Sequence, residues 1–113
     1  MRIIHKDIWE SGKWFKLSIF EQMANVGADV DRAVRWKKRG DIEASNAAFE
    51  RALELIDFTK MDPRNKKRLK ELCRMREVLI DYFMFDNEYQ CTDEQWYNYF
   101  YDFNYAAAIA KGK

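Results

Sequence analysis

One arginine occupies a position where a charged side chain needs a partner. Arg76 falls between two apolar pairs, Leu72–Cys73 and Leu79–Ile80, so helical spacing turns it towards the apolar side of its segment. A guanidinium buried there without a partner is costly. We therefore expect Arg76 to pair with a carboxylate, to reach out of the apolar stripe at its edge, or to bind an anionic ligand. The carboxylates available for pairing are Glu50, Glu54 and Asp57.

The segment that follows Arg76 resembles the signature of HEPN-domain proteins. Arg76 matches the arginine of that signature and Tyr82 its aromatic residue, whereas Asp81 stands in the position of its histidine and the chain's single histidine is His5. HEPN domains are small four-helix bundles that work beside minimal nucleotidyltransferases or as RNases, and their arginine and histidine serve RNA cleavage. With aspartate in that position, the resemblance implies a non-catalytic module with a nucleotidyltransferase-type partner or a nucleotide-bearing ligand. Arg76 would bind an anion, Asp81 would orient it, and Tyr82 would stack or hydrogen-bond.

A second interpretation is magnesium-dependent hydrolysis of nucleotides, as in all-α pyrophosphatases. Glu54 and Asp57 resemble one half of the acidic signature of that family, and Glu50 lies one turn earlier. Carboxylate oxygens are the ligands that Mg²⁺ prefers. The other half, two glutamates three residues apart on a preceding helix, is missing because Ala24 follows Glu21 at that spacing. The sequence therefore favours a protein that is not an enzyme and has no resident cofactor or metal.

The two cysteines, Cys73 and Cys91, are too few for a disulfide framework. Cys73 lies on an apolar stripe, which predicts a core position, and Cys91 precedes a helix start. Charged residues interrupt the first seven positions, and no apolar stretch approaches the length needed to cross a bilayer. We expect a cytoplasmic protein that has no signal peptide and does not associate with membranes.

The last helical segment is unusually aromatic. Seven of the ten residues in 96–105 are aromatic and they point around the whole helix. One stripe can fill a core, and the excess predicts a covered surface, because tyrosine pairs apolar area with a hydroxyl and is favoured at interfaces. The predicted interface residues are Tyr97, Tyr99, Tyr101 and Tyr105. A second copy of the chain, giving a homo-oligomer, a ligand, or Trp9, Trp14 and Phe15 from the N-terminus would cover them.

Basic residues form two clusters. Residues 35–39 close one helix, where cations suit the dipole, and should lie near acidic residues between 86 and 94. Residues 60–70 carry six cations that open a helix instead, and we expect them near Lys111 and Lys113. Capping does not explain this second cluster, so it is either a solvated face or a contact for an anion or a nucleic acid. The net charge of +1 by itself does not indicate nucleic acid.

Four helices must position these residues. Capping boxes at Ser18–Glu21 and Thr92–Gln95, an aspartate cap at Asp41 and the pair Asp62–Pro63 mark four helix starts. Apolar residues then recur at helical spacing over 19–39, 42–60, 63–84 and 93–111. The residues that these stripes predict to be in the core include Ile19, Met23, Val26, Val30 and Ala33 in the first helix, Ile42 in the second, Leu69, Leu72 and Cys73 in the third, and Trp96 and Phe100 in the fourth.

The whole chain fits a single all-α domain. Its 113 residues are 48% hydrophobic with only 4 glycines and 1 proline, which excludes a disordered chain and disfavours a many-turned β-sandwich. Amphipathic helices joined by short links predict an up-and-down antiparallel four-helix bundle over residues 17–113. Residues 1–16 would form an N-terminal arm, either extended or a small hairpin.

Overall fold

A computed structural model describes residues 11–111, and every regular element in that range is helical. Four α-helices pack against one another: α1 is Ile19–Lys38, α2 is Ile42–Met61, α3 is Leu69–Met84 and α4 is Asp93–Lys111. Two short 3₁₀ helices, Lys13–Lys16 and Pro63–Arg68, precede α1 and α3. The prediction of an all-α domain with four helices is confirmed. None of the helices in residues 11–111 is long and apolar enough to span a membrane.

The predicted caps form as side-chain hydrogen bonds. The Ser18 hydroxyl accepts from the Glu21 amide at 3.1 Å while the Glu21 carboxylate accepts from the Ser18 amide at 3.3 Å. Thr92 and Gln95 make the same reciprocal pair at the start of α4, at 3.1 and 2.8 Å. Asp41 accepts from the Ala44 amide at 3.0 Å. Each cap satisfies backbone donors that the first helical turn leaves open, so local sequence alone sets these starts.

The start of α3 differs from the prediction. We expected one helix over 63–84, but Pro63–Arg68 winds as a 3₁₀ helix before α3 begins at Leu69. Asp62 caps this turn by accepting from the Arg64 amide at 3.0 Å, and the Asn65 amide donates to the Asp62 carbonyl at 3.0 Å. The side chain of Asn65 is buried, and its partners on α1 and α2 hold the tighter turn in place.

Helix α1 is the centre of the packing, because it contacts both α2 and α4 extensively, while α3 packs mainly on α2. Four residues of the predicted α1 stripe are fully buried: Met23, Val26, Val30 and Ala33. Gly27 lets α4 approach closely, since a Cβ at this position would lie 2.8–2.9 Å from three carbons of Phe100. Phe100 is itself buried, so the missing side chain of Gly27 creates the space for its ring.

Trp14, in the described part of the N-terminal arm, lies against α2. Residues 13–16 form a 3₁₀ helix, not an extended strand or a hairpin, and Trp14 is buried. The Trp14 indole N–H donates to the Thr59 hydroxyl of α2 at 3.2 Å. Trp14 therefore does not shield the aromatic helix. The remainder of the predicted arm, residues 1–10 with Trp9, lies outside the described residues.

Three predicted core positions are exposed. Cys73 is a free, exposed cysteine, and Ile42 and Leu69 are also exposed. Ile42 and Leu69 are each the first residue of a helix, where the chain has just emerged from a connection. Cys73 is exposed although its neighbour Leu72 is buried. The prediction of a core cysteine was wrong because the buried face of α3 runs through Leu72, Met75, Leu79 and Tyr82 and leaves Cys73 outside it.

Candidate functional site

Arg76 is paired inside the chain. Its Nε donates to Oδ1 of Asp57 at 2.8 Å and its Nη2 donates to Oδ2 at 3.3 Å, which joins α3 to α2. Both side chains are partly exposed, so Arg76 reaches the edge of its stripe and meets the carboxylate there. Of the three carboxylates proposed as partners, the structure selects Asp57. This geometry satisfies the guanidinium with two parallel hydrogen bonds and needs no ligand.

Asp81 performs a different task, at the end of α3. Its carboxylate accepts from the Tyr89 amide at 3.1 Å, and its carbonyl accepts from the amides of Phe85 and Asn87. The aspartate therefore ties down the connection between α3 and α4. Cys91 lies in the same connection, where burial and the nearby Asp81 charge raise the pKa of its thiol.

Tyr82 is buried against aromatic neighbours and a cation. Its ring lies 4.9 Å from the Phe83 ring and 6.2 Å from the Trp96 ring, and Lys37 Nζ of α1 lies 4.2 Å from its centroid. Residues five and six positions after Arg76 lie about 120–140° around a helix from it. Arg76, Asp81 and Tyr82 accordingly face α2, the connection after α3, and the α1–α4 core. Their bonds lead in three directions and the three side chains do not line one cavity.

The carboxylates of the alternative interpretation are not gathered into a metal centre. Asp57 is engaged by Arg76, while Glu50 is exposed on α2. Within residues 11–111 no group of three or more His, Cys, Asp and Glu side chains is arranged to hold a metal ion.

Three of the predicted interface tyrosines form a ladder on the outer side of α4. Tyr97, Tyr101 and Tyr105 recur every four residues and expose 61%, 50% and 60% of their surface. Their neighbouring ring centroids are 6.0 and 6.4 Å apart, so the rings lie one above another along the helix. This tyrosine ladder is a continuous aromatic surface, which is unusual on a solvated helix.

Tyr99 points elsewhere and bonds within the chain. Its hydroxyl donates to Oε1 of Glu71 on α3 at 2.9 Å, and its ring packs edge-on against Phe100 and Phe103. Burial, and then the adjacent Glu71 carboxylate, raise the pKa of Tyr99 well above its ordinary range. Tyr99 is thus a link between α3 and α4, whereas the tyrosine ladder faces outwards.

A groove between α1 and α4 begins beside the ladder. Its volume is about 260 Å³, and small residues of α1 form one wall while Tyr97 and Phe100 form the other. The small residues are Ala24, Gly27 and Ala28. Trp96 also borders this groove, and its indole N–H is buried without a hydrogen-bond acceptor among the described residues. No sequence pattern reveals that this N–H lacks a partner.

The largest feature that sequence reasoning missed is a buried polar network beside the 3₁₀ helix 63–68. Gln22 Nε2 donates to the Trp14 carbonyl at 3.0 Å and to Oδ2 of Asp62 at 2.9 Å. Asn65 Nδ2 donates to Gln22 Oε1 at 2.8 Å and to the Thr59 carbonyl at 3.0 Å. One sequence signal was available, because Gln22 interrupts the apolar stripe between Ile19 and Met23.

Arg64 closes the network at the surface. Its guanidinium donates to the Asp62 carboxylate at 2.6–3.1 Å and to the Leu17 carbonyl at 2.6 Å. The hydrogen bonds from Arg64 outweigh the cost of burial and, with that from Gln22, lower the pKa of Asp62 to about 2. A buried carboxylate with these donors is fully satisfied, so the network stabilises the fold rather than awaiting a ligand.

Comparison with known proteins does not place the chain in a family. No protein-family model, curated protein or solved structure matches it.

Proposed function

We propose that the chain is a non-catalytic interaction module that self-associates through the tyrosine ladder of α4. The carrying observation is that Tyr97, Tyr101 and Tyr105 stand exposed in one row. Exposing these apolar rings to water is unfavourable. Tyrosine is enriched at protein interfaces because its ring buries apolar area while its hydroxyl can still form a hydrogen bond.

The groove between α1 and α4 supports a second copy of this chain as the partner. It lies next to Tyr97 and its volume of about 260 Å³ suits one aromatic ring. In a two-fold dimer the same patch of each copy meets the other, so the patch needs both a protruding group and a recess that can receive it. The tyrosine ladder provides the first and the neighbouring groove the second. In the proposed dimer a ladder tyrosine of each copy enters the groove of the other.

The proposal also includes the relative directions of the four helices. Only Arg39, Gly40 and Asp41 separate α1 from α2, and a connection this short favours antiparallel neighbours. Gly40 adopts φ +82°, the left-handed backbone that glycine takes at the end of a helix. We infer an up-and-down bundle from these links and from the comparable lengths of the helices.

A HEPN-like role beside a nucleotidyltransferase-type partner rests on the sequence pattern of Arg76, Asp81 and Tyr82. Because Arg76 is paired with Asp57, the geometry favours a role in binding a partner protein over a role in binding an anion at Arg76. No observation favours the magnesium-dependent hydrolase. We propose a cytoplasmic location, with which the two free cysteines agree.

Native mass spectrometry and light scattering test the self-association. We expect the wild-type chain to be a dimer and the triple variant Tyr97→Ser, Tyr101→Ser, Tyr105→Ser to be a folded monomer. Tyr89→Ser is the matched control, because Tyr89 is an exposed tyrosine outside α4 and its removal should leave the dimer intact. A wild-type chain that stays monomeric at its highest soluble concentration would overturn the proposal.

A second variant probes the groove without touching a tyrosine. Ala28 is exposed at the groove wall, so Ala28→Leu fills the groove while leaving the core unchanged. We expect it to weaken the dimer at least tenfold with an unchanged melting temperature of the monomer. Unaltered dimerisation would show that the groove does not receive the tyrosine.

A further inference from the structure

The positive charge of the segment that leads into α3 is unfavourable for the start of that helix. Residues 60–70 contain six cations and a single acid, Asp62. Lys66, Lys67 and Arg68 immediately precede α3, where the helix dipole disfavours positive charge. A sequence that breaks a local rule in this way is expected where a functional demand competes with stability.

The acids near this segment are already used. Asp62 is buried and bound by Arg64, and Glu71 is held by Arg68 and the Tyr99 hydroxyl. The lysines of this segment make no ion pair with any acid within residues 11–111. They are Lys60, Lys66, Lys67 and Lys70.

Tertiary contacts bring two more lysines to the same end of the molecule. The bond from Arg64 Nη2 to the Leu17 carbonyl and the bond from Trp14 to Thr59 hold residues 13–17 against residues 59–64. Lys13 and Lys16 are exposed on that turn and make no ion pair with a described acid. We name the resulting set of six lysines the basic pole: Lys13, Lys16, Lys60, Lys66, Lys67 and Lys70.

The buried polar network holds the basic pole in place. The side chains of Asp62 and Asn65 are buried and hydrogen-bonded to Gln22, which fixes the position of the 3₁₀ helix Pro63–Arg68. The lysines of this helix, Lys66 and Lys67, are exposed to solvent. Mutual repulsion of the lysines opposes this arrangement, and the satisfied network offsets it. The cations are therefore preorganised before any partner arrives, which lowers the entropic cost of binding.

From this geometry we infer that the basic pole binds the phosphate backbone of a nucleic-acid duplex without sequence specificity. Lysines presented on a folded surface neutralise phosphates and release counterions, which is sufficient for non-specific binding. No aromatic residue occurs between positions 60 and 70, and of the two rings beside Lys13 and Lys16 that of Trp14 is buried and that of Phe15 half-buried, so the pole offers no fully exposed ring for stacking unpaired bases. Two exposed apolar residues there, Met61 and Leu69, are fewer than an interfacial membrane helix inserts.

Fluorescence anisotropy with a labelled duplex of about 20 base pairs tests the inference, using DNA and RNA of the same sequence over a series of salt concentrations. The full-length wild-type chain should bind with a Kd between about 1 and 100 μM at physiological salt, and the affinity should fall steeply as salt rises. The DNA and RNA arms identify which duplex the pole prefers, and saturable, salt-sensitive binding of either supports the inference.

The test variant is Lys66→Gln, Lys67→Gln, Lys70→Gln, because these side chains are exposed and lie outside the buried network. We expect it to lose at least tenfold in affinity and to reduce the slope of log K against log salt by up to about 3. The matched control removes three charges at the far end of α1 by Arg35→Gln, Lys38→Gln, Arg39→Gln and should stay within about twofold of wild type. Thermal melts of both variants verify that the fold is retained.

Three outcomes would overturn the inference. The first is absence of saturable duplex binding by the wild-type chain. The second is equal loss in the test and control variants, which would reduce the effect to net charge. The third is equal or tighter binding of polyglutamate or of vesicles rich in phosphatidylserine, which would assign the basic pole to an acidic protein or to a membrane surface. None of these outcomes requires the chain to be a dimer, so failure of the self-association proposal leaves the inference testable.

Discussion

Two buried tryptophans of this protein differ in whether their polar atom has a hydrogen-bond partner. The indole N–H of Trp14 has the Thr59 hydroxyl as its acceptor, whereas the indole N–H of Trp96 has none among the described residues. Both side chains are almost fully buried. A buried donor without an acceptor costs about 1–3 kcal/mol, so the two tryptophans contribute unequally to stability although each fills a similar volume.

We therefore predict that Trp96→Phe destabilises the fold less than Trp14→Phe. Each substitution removes a similar ring volume, but Trp14→Phe also breaks a hydrogen bond while Trp96→Phe removes an unsatisfied group. The difference in free energy of unfolding should be about 1–3 kcal/mol in urea titrations. If Trp96→Phe is the more damaging substitution, a partner that the fold holds at Trp96 must be lost with it.

Asp62 makes the stability of the fold depend on acid pH. Its pKa is about 2 in the folded chain against 3.8 without its partners, so folding favours the charged form. The stabilisation, about 2 kcal/mol, is fully present above pH 4 and disappears as the pH falls from about 4 to about 2. Unfolding titrations across this range should show the loss in wild type and a flatter profile in Asp62→Asn. Arg64→Gln should reduce the same slope, since Arg64 is the main cause of the lowered pKa; an unchanged slope in both variants would contradict the assignment.

Contacts between elements set the shape of the fold, and α1 and α4 approach each other closely at Gly27. Gly27→Ala should raise helix propensity by up to about 1 kcal/mol, yet its Cβ would collide with Phe100. We predict a net loss of about 1–3 kcal/mol in the free energy of unfolding, because α4 must move away from α1. Ala28→Gly, at an exposed neighbouring position, isolates the propensity effect. Stabilisation by Gly27→Ala would show that the two helices are not in close contact.

Helices α2 and α3 are joined by the pair Asp57–Arg76. A double-mutant cycle with Asp57→Asn and Arg76→Gln should give a coupling energy of about 0.5–1 kcal/mol, since both side chains are partly exposed. Urea titrations of the two single variants and the double variant provide the measurement. A coupling near zero would free Arg76 for the anion-binding role that the sequence resemblance implies.

The whole molecule separates two kinds of surface. The tyrosine ladder runs along α4, and the basic pole gathers at the turn before α1 and the entry to α3. We predict that they work independently. Serine substitutions in the ladder should abolish the dimer but leave saturable, salt-sensitive duplex binding, weakened only by the loss of bivalence. Glutamine substitutions in the basic pole should leave the chain a dimer in native mass spectrometry. Complete loss of duplex binding in the ladder variant would contradict this independence.

Local signals explain why the helices themselves could be predicted. Capping boxes, proline and glycine act within four residues, so Ser18, Asp41 and Thr92 mark helix starts irrespective of the rest of the fold. The apolar stripes of α1 and α4 repeat often enough to identify the buried face, and Met23, Val26, Trp96 and Phe100 are buried as expected. Composition likewise excluded a disordered chain and disfavoured a many-turned β-sandwich.

The sequence by itself therefore determined an all-α chain, its four helices and most of the apolar core, whereas the tertiary structure alone decided which polar groups meet. Asn65 bonds to Gln22 across 43 residues of chain, Trp14 to Thr59 across 45 and Arg76 to Asp57 across 19. A polar side chain has several acceptable partners, and only the packing of one element on another brings a particular one within hydrogen-bonding distance. The same packing turned Cys73 outwards and gathered the lysines at one end, because burial depends on which neighbour a helix face meets and not on the pattern of that face alone.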